Sequence, residues 1–329
     1  MKTIGLFFGG MGSEAEISVK SATNIIENFD YKKYNLVLVF WNKNGKFYKV
    51  SNLKEIKKLT DKSNFKIEDF SKTFNIALLM THGRYGEDGI LQSILESQKV
   101  KYCGCRVFAS ALCMDKAFFK TYLSKQNILQ VKFKILDFNA MDDEAINKTI
   151  TEIKNNFKLP LYIKPSNSGS SIGIARIEKM EKIQDAITAA KKFDQRIIIE
   201  EGLQNPREIE VGICGNKKLI ISEPGELNLA KEFYSYDDKY KLNQTGITIP
   251  AALTKKQITE IKKTAEKVYR LCGLNGFARI DFFLIKNKIY LNEINTLPGF
   301  TNISMFPQLI MKTGISYQEL INKIIELAF

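Results

Sequence analysis

The segment ARIDFFLIKNKIYLNEIN, residues 278–295, carries two alternating apolar runs on either side of Lys286-Asn287-Lys288. Period-two alternation marks strands, and a short polar connection between two such runs marks an antiparallel hairpin. Folding the segment about Asn287 sets Asp281 opposite Glu293 and Arg279 opposite Asn295. Residues two apart on a strand share a face, so Asp281, Glu293 and Asn295 offer three hard oxygen ligands to one point. Such a set suits Mg²⁺ (or Mn²⁺) held partly by nucleotide phosphates. A hairpin with a merely solvated face is the weaker reading, because Glu and Asn in so apolar a run are costly to bury unless paired.

Upstream, an apolar strand runs into Lys164-Pro165-Ser166-Asn167-Ser168-Gly169-Ser170-Ser171-Ile172-Gly173. Small residues let backbone amides turn toward an anion, hydroxyls add donors and Lys164 adds charge, as a loop covering phosphates requires. It is not a Walker A loop, since GxxxxGK[ST] is absent. Alone, such a stretch is more often an ordinary turn; the metal hairpin downstream reverses that. A third constellation, residues 81–89 (THGRYGEDG), holds the only histidine, His82, in a glycine-dense loop that follows an apolar strand. Ligands gather at the carboxyl ends of strands in open α/β sheets, so His82 is a candidate substrate-site residue.

The organisation of the chain agrees with these placements. A strand over residues 2–8, a Gly9-Gly10 turn, a helix over 14–28 with Ser13 and Glu16 in capping-box spacing, and a strand over 35–41 form a βαβ unit of a parallel layer. The run 75–81 reads as a strand buried on both faces. Residues 105–203 change to a smaller α/β pattern: a helix over 115–126, strands at 132–136, 161–164 and 196–200, and a helix over 178–192. The remainder has strands at 209–214 and 218–222, an aperiodic polar stretch over 228–245 that reads as a mobile loop, then helices and the hairpin. The division is 1–104, 105–203 and 204–329, an α/β protein with α+β parts.

Composition excludes other classes. The 329 residues are 44% hydrophobic, enough for two or three packed units. No apolar run approaches the roughly 20 residues of a membrane span, and the start lacks a signal-peptide layout, so the cytoplasm is the expected compartment. Five cysteines, none in a CxxC pair, indicate packing thiols rather than disulfides or zinc. The formal charge of +13 is spread along the chain and only seven basic residues are arginine, which argues against a nucleic-acid footprint.

Taken together, these motifs resemble those of the D-alanine-D-alanine ligase family of the ATP-grasp superfamily. The segments that carry the resemblance are GGMGSEAEISVKSA (9–22), HGRYGEDG (82–89), ASALCMDK (109–116), IKPSNSGSSIG (163–173), REIEVGI (207–213), EFYSYDDKY (232–240), ARIDFF (278–283) and NEINTLPGFTNISMFP (292–307). Eight in order along nearly the whole chain are far more specific than any one. The resemblance implies an ATP-grasp fold with an N-terminal parallel α/β domain, a central lid and a C-terminal catalytic domain. It also implies ATP, two Mg²⁺ or Mn²⁺ ions, D-alanine as substrate, a homodimer, and a role in peptidoglycan precursor synthesis.

By the same resemblance, Lys116, Lys164, Ser170, Ser171, Glu208 and Lys239 serve ATP, together with Asn292 and Glu293 on the hairpin. The adenine lies against the hinge at Glu200, Glu201 and Leu203, and the stretch from Glu200 to Glu208 is one residue longer than the usual pattern. Glu14 holds the ammonium of the first D-alanine, and Ser170 and Tyr240 link it to the mobile loop. Arg279 and the Gly299 amide form the oxyanion site, while Ser304 and Met305 touch the second D-alanine. Two competing readings are an ATP-grasp ligase for another carboxylate–amine or hydroxy-acid pair, and a nucleotide-binding regulator without catalysis. A regulator has no need of the Arg279 guanidinium beside the metal ligands.

Overall fold

Residues 1–60, 64–169, 172–228 and 246–329 are described by the computed structural model. Strand β1 (Lys2–Gly9) is buried from Ile4 onward, as a parallel strand in mid-sheet must be. Helix α1 (Ala15–Glu27) leads from it to β2 (Tyr34–Trp41), which pairs parallel with β1. Strand β3 (Phe47–Val50), helix α2 (Phe70–Thr73), β4 (Ile76–Leu79), α3 (Ile90–Ser97) and β5 (Lys101–Tyr102) complete a five-stranded sheet of order β3-β2-β1-β4-β5, in which only β3 is antiparallel to its neighbour. The helix begins one residue later than the Ser13–Glu16 capping-box spacing implies. Glu14 is the N-cap residue and makes no side-chain capping bond; its carboxylate lies against Gly83 instead.

Helices α4 (Val107–Met114) and α5 (Lys116–Leu123) then lead into a four-stranded antiparallel sheet. Its strands are β6 (Phe133–Asp137), β7 (Leu161–Pro165), β8 (Ala175–Ile177) and β9 (Arg196–Glu201), in the order β6-β9-β7-β8. Helices α6 (Asp143–Asn156) and α7 (Ile183–Lys191) cover it, burying Ile146, Ile150, Ile153, Ile183 and Ile187 against Leu161, Ile163, Ile197 and Ile199. The expected helix over 178–192 is shorter at its start, where Met180–Lys182 forms a 3₁₀ turn.

The third sheet has the order β13-β12-β10-β14-β15, with β11 also on β10. It comprises β10 (Arg207–Gly215), β11 (Leu219–Ile221), β12 (Gly225–Asn228), β13 (Gly246–Thr248), β14 (Phe277–Ile285) and β15 (Lys288–Asn295). Helix α8 (Lys255–Leu271) starts in a complete Thr254/Gln257 capping box and lays Ile261, Ala265, Val268 and Tyr269 on the core of this sheet. Helices α9 (Met305–Met311) and α10 (Tyr317–Glu326) close the chain. The β14–β15 hairpin pairs Asp281 with Glu293 and Arg279 with Asn295, as expected. Its turn, however, is the two residues Lys286-Asn287 between paired Ile285 and Lys288, and a bulge beside Asp281 supplies the extra step.

Both ends of the chain share one core. Leu320, Ile321, Ile324 and Ile325 of α10, with Phe300 and Phe306, pack into the same cluster as Leu6, Phe7, Leu78 and Leu79 of the first sheet. This packing holds the loops 81–89 and 296–304 side by side: His82 bonds to Leu297, and Thr296 to Glu87. All five cysteines are free and buried. Among the described residues no helix is long and apolar enough to cross a membrane.

Candidate active site

Three neighbouring strands set a row of carboxylates across the third sheet. Glu210 on β10 is opposite Asp281 on β14, which is opposite Glu293 on β15. The next row is Gly212, Arg279 and Asn295, and alternate residues share a face. Arg279 therefore reaches back diagonally. Its Nε and Nη2 donate to Asp281 Oδ1 and Oδ2 at 2.8 Å each, and Nε lies 2.7 Å from Glu210 Oε2. Burial works against the guanidinium charge, but Asp281 and Glu210 outweigh it and hold the Arg279 pKa well above its ordinary value.

Asn295 Nδ2 donates to Asp281 Oδ2 at 2.9 Å, which directs the amide across the same carboxylate. Among the described residues, no three histidine, cysteine or acidic side chains converge as a closed metal cage. The donor set is two carboxylates and an amide, with excess negative charge around one guanidinium. It fits a divalent ion that draws its other oxygens from phosphate.

A basic side of the site is built by α5 and the loop after β7. Asp115 caps α5, accepting from the Ala117 and Phe118 amides, while its other oxygen pairs with Arg196 at 3.0 Å. Ser166 donates to Asp115, and the Lys116 amide donates to the Ser166 carbonyl at 3.0 Å. These contacts tie the helix start to the Ser/Gly loop. Lys116 Nζ donates to the Ser168 carbonyl, and Lys164 Nζ lies 2.6 Å from Glu200 Oε2. Both lysines are drawn to the same place: Lys116 loses some basicity to burial, with Glu293 opposing, whereas Lys164 ends above its ordinary value because Glu200 outweighs burial.

A cavity lies at the meeting of the two chain ends. It measures about 810 Å³ and is lined by Glu14, His82, Glu87, Lys116, Ser168, Gly169, Glu210, Arg279, Glu293, Asn295, Gly299, Ser304 and Met305, among others. Its volume is within the usual range for small-molecule sites. Glu14 sits over Gly83, where φ is +69° and any side chain would strike the glutamate oxygen. Gly169 of the Ser/Gly loop approaches the same carboxylate.

His82 is buried between the two loops. Nδ1 is 3.0 Å from the Leu297 carbonyl and Nε2 is 2.9 Å from Ser21 Oγ. A carbonyl only accepts, so the ring proton sits on Nδ1 and Nε2 accepts from Ser21, whose oxygen in turn receives the Phe300 amide at 3.2 Å. Gly299 stands inside this braced loop, so close to Ser304 Oγ that a Cβ would be crowded. Ser304 precedes α9 and receives the Thr301 amide at 3.0 Å, and Met305 is buried behind it. Glu87 is half-buried, and desolvation together with Glu14 and Glu293 pushes its carboxyl well above the usual range.

Two family models match the chain, "D-ala D-ala ligase N-terminus" over residues 3–105 and "D-ala D-ala ligase C-terminus" over residues 122–326. The chain belongs to the D-alanine-D-alanine ligase family. It is 39% identical to the D-alanine--D-alanine ligase of Caldicellulosiruptor bescii, across 99% of this chain and 94% of that protein. With the D-alanine--D-alanine ligase of Clostridium acetobutylicum it is 36% identical, across 99% and 98%. Among solved structures it resembles VanG D-Ala:D-Ser ligase from Enterococcus faecalis, with a TM-score of 0.87 at 29% identity over 100% of this chain and 99% of that one. It also resembles the D-alanine-D-alanine ligase from Coxiella burnetii, with a TM-score of 0.83 at 28% identity over 100% and 95%. The fold is thus that of the ATP-grasp ligases, a family that depends on ATP and a divalent metal.

Within this family frame, the structure gathers Glu14, His82, Lys116, Arg279, Glu293, Asn295, Gly299, Ser304 and Met305 around one cavity. Asp281 lies directly behind, beneath Arg279 and Asn295. Asn292 is half-buried at the hairpin bulge. On the hinge, Glu200 points inward to the lysines, whereas Glu201 Oε2 accepts the Lys158 amide at 2.8 Å and Leu203 is half-buried. Glu208 lies opposite Phe283 on β10, on the same face as Glu210. Ser170, Ser171, Lys239 and Tyr240 lie outside the described residues.

Sequence reading passed over Ser21, Glu87, Lys120 and Glu210. Glu210 carried a signal, being two residues from Glu208 in a strand otherwise apolar; Lys120 carried another, one helical turn after Lys116.

Proposed function

We propose that this chain joins two D-alanines into D-alanyl-D-alanine at the expense of ATP, for peptidoglycan precursor synthesis in the cytoplasm. The observation that carries the reading is one cavity lined both by Glu14 and by Arg279 with Gly299. An α-amino acid offers an ammonium to the first and a carboxylate to the second. The roles carried over from the family resemblance to the described residues fit this layout, while those of Ser170, Ser171, Lys239 and Tyr240 rest on the resemblance alone.

A carboxylate resists attack by an amine until one oxygen becomes a leaving group. In the proposed sequence the first D-alanine, anchored by Glu14, attacks the γ-phosphate of ATP and becomes an acyl phosphate, releasing ADP. Lys116 and Lys164 face the phosphates and spread their charge. Asp281, Glu293 and Asn295 would hold two Mg²⁺ or Mn²⁺ ions, which would supply charge neutralisation for the phosphoryl group. The second D-alanine then attacks the carbonyl with its amine, and phosphate leaves. The free edge of the Arg279 fork, oriented by Asp281 and Glu210, and the Gly299 amide stabilise the tetrahedral oxyanion. The division at residues 1–104, 105–203 and 204–329 puts ATP between the second and third units, and the active form is a homodimer.

The test is product analysis with ATP and a panel of D-alanine, L-alanine, D-serine and D-lactate. The reading requires D-alanyl-D-alanine with stoichiometric ADP and phosphate, and little product from L-alanine. Phosphate release at background with every D-amino acid would leave a nucleotide-binding regulator; a mixed product with D-serine or D-lactate would move the second substrate.

A further inference from the structure

Helix α5 presents two lysines one turn apart on the same face. Lys116 reaches the Ser/Gly loop, as described. Lys120 is 1% exposed and lies with its Nζ 2.9 Å from Glu200 Oε1, while Lys164 Nζ lies 2.6 Å from Glu200 Oε2. Glu200 is thus clamped between two ammoniums in a site shut off from water. Burying a lysine is expensive, and the neighbours Phe119 and Leu123 show that the helix has apolar residues to spend on packing. Nothing in the steps proposed above uses Lys120.

Its value is electrostatic. A buried Glu200–Lys164 pair by itself is neutral, so the charge of Lys164 would be spent on the glutamate. With Lys120 added, the triad keeps one net positive charge. Burial alone would raise the Glu200 pKa, but Lys120 and Lys164 together pull it down to about 2, so the carboxylate is ionised throughout the working range.

We infer that Lys120 is a positioning residue for the nucleotide: by neutralising Glu200 it frees the positive charge of Lys164 for the polyphosphate of ATP. The inference rests on the nucleotide reading of Lys164. Lys120 touches no substrate atom in this account, and its effect is confined to the phosphates.

The test measures binding of a non-hydrolysable ATP analogue and of adenosine, by calorimetry, to wild type, Lys120→Met, Lys120→Arg, Lys164→Met and the double variant Lys120→Met/Glu200→Gln. Lys120→Met should weaken the analogue about tenfold or more, the scale for truncating one member of a buried charge pair. Adenosine, which lacks phosphates, should bind as before, and Lys120→Arg should recover part of the loss. The double variant has the net charge of the wild-type triad; because Glu200 also lies at the adenine hinge, its readout is the ratio of analogue to adenosine affinity, which should return close to that of wild type. Equal losses for analogue and adenosine in Lys120→Met, or an analogue-to-adenosine affinity ratio in the double variant no higher than in Lys120→Met, overturn the inference in favour of a packing role. Should Lys120→Met fail to fold, the double variant decides, because it leaves no glutamate charge to neutralise; an analogue-to-adenosine affinity ratio well below that of wild type there overturns the inference. Normal binding of the analogue by Lys164→Met would bring down the nucleotide reading instead, whereas a loss in Lys164→Met with normal binding in Lys120→Met brings down the inference alone.

Discussion

Glu210 stands directly opposite Asp281 across β10 and β14, and the guanidinium of Arg279 bridges their carboxylates. A planar fork held on one edge by two anions presents its other edge in a fixed direction. That is what an oxyanion donor needs: no reorganisation when charge develops.

Arg279→Met removes the fork and keeps the stem. Turnover should fall by about 10² to 10³, the cost of one oxyanion donor elsewhere, while an ATP analogue still binds. The two carboxylates left behind lose their shared partner in a buried setting, so stability should drop by about 3–5 kcal/mol as well. Steady-state rates with a denaturation curve separate the effects. Near-normal turnover in folded protein removes Arg279 from the reaction.

Glu293→Gln keeps volume and polarity but weakens one metal ligand at the end of the carboxylate row. Activity should fall by about 10- to 100-fold or more, taking loss of a supporting partner as the floor, and half-maximal activity should need more Mg²⁺. The melting temperature should hardly move. Normal turnover at limiting Mg²⁺ would show that Glu293 does not hold the metal.

The hairpin shows what a sequence discloses and what it withholds. Alternation in residues 278–295 and a fold about Asn287 set Asp281 against Glu293, and the structure makes that pair. It does so by a different route. The turn has two residues, which on its own would bring Asp281 opposite Asn292; the bulge skips Asn292 and restores the pairing with Glu293. Bulges re-aim side chains near functional sites, and nothing in local alternation reveals them. Glu210 escaped notice for a related reason, since its place depends on pairing β10 with a strand some seventy residues later. Ser13 had the right spacing for a cap, but Glu14 took the N-cap position and its carboxylate turned toward Gly83.

Ser21 links His82 to the Phe300 amide, and so braces the loop that carries Gly299. Ser21→Ala leaves two buried polar groups without that partner. The expected loss is about 1–3 kcal/mol in stability, with a lower kcat and unchanged binding of an ATP analogue, because the loop faces the amino-acid side. Urea unfolding and steady-state rates check it. A variant as stable and as active as wild type would show that the brace is dispensable.

His82 is the only histidine, which makes the acid side of the stability profile readable. Burial pushes its pKa below the ordinary value, with Glu14 and the Leu297 carbonyl opposing only in part. The folded chain therefore binds fewer protons at this ring than the unfolded chain does, whose histidine titrates near 6.5. Stability from His82 is fully present above about pH 6.5 and is lost as pH falls below it. Glu87 works in the other direction, because burial raises its carboxyl pKa and the folded state then holds the extra proton. The difference between wild type and His82→Gln isolates the ring from Glu87 and from the other carboxylates, which both proteins share. Urea unfolding at pH 7.5, 6.5 and 5.5 should show the wild type losing more stability than the variant toward acid, by up to about 1.4 kcal/mol at pH 5.5, the worth of one pH unit. Parallel profiles for the two proteins would mean that His82 accepts its second proton in the folded state, and that the Ser21–His82–Leu297 chain is not the fixed brace described.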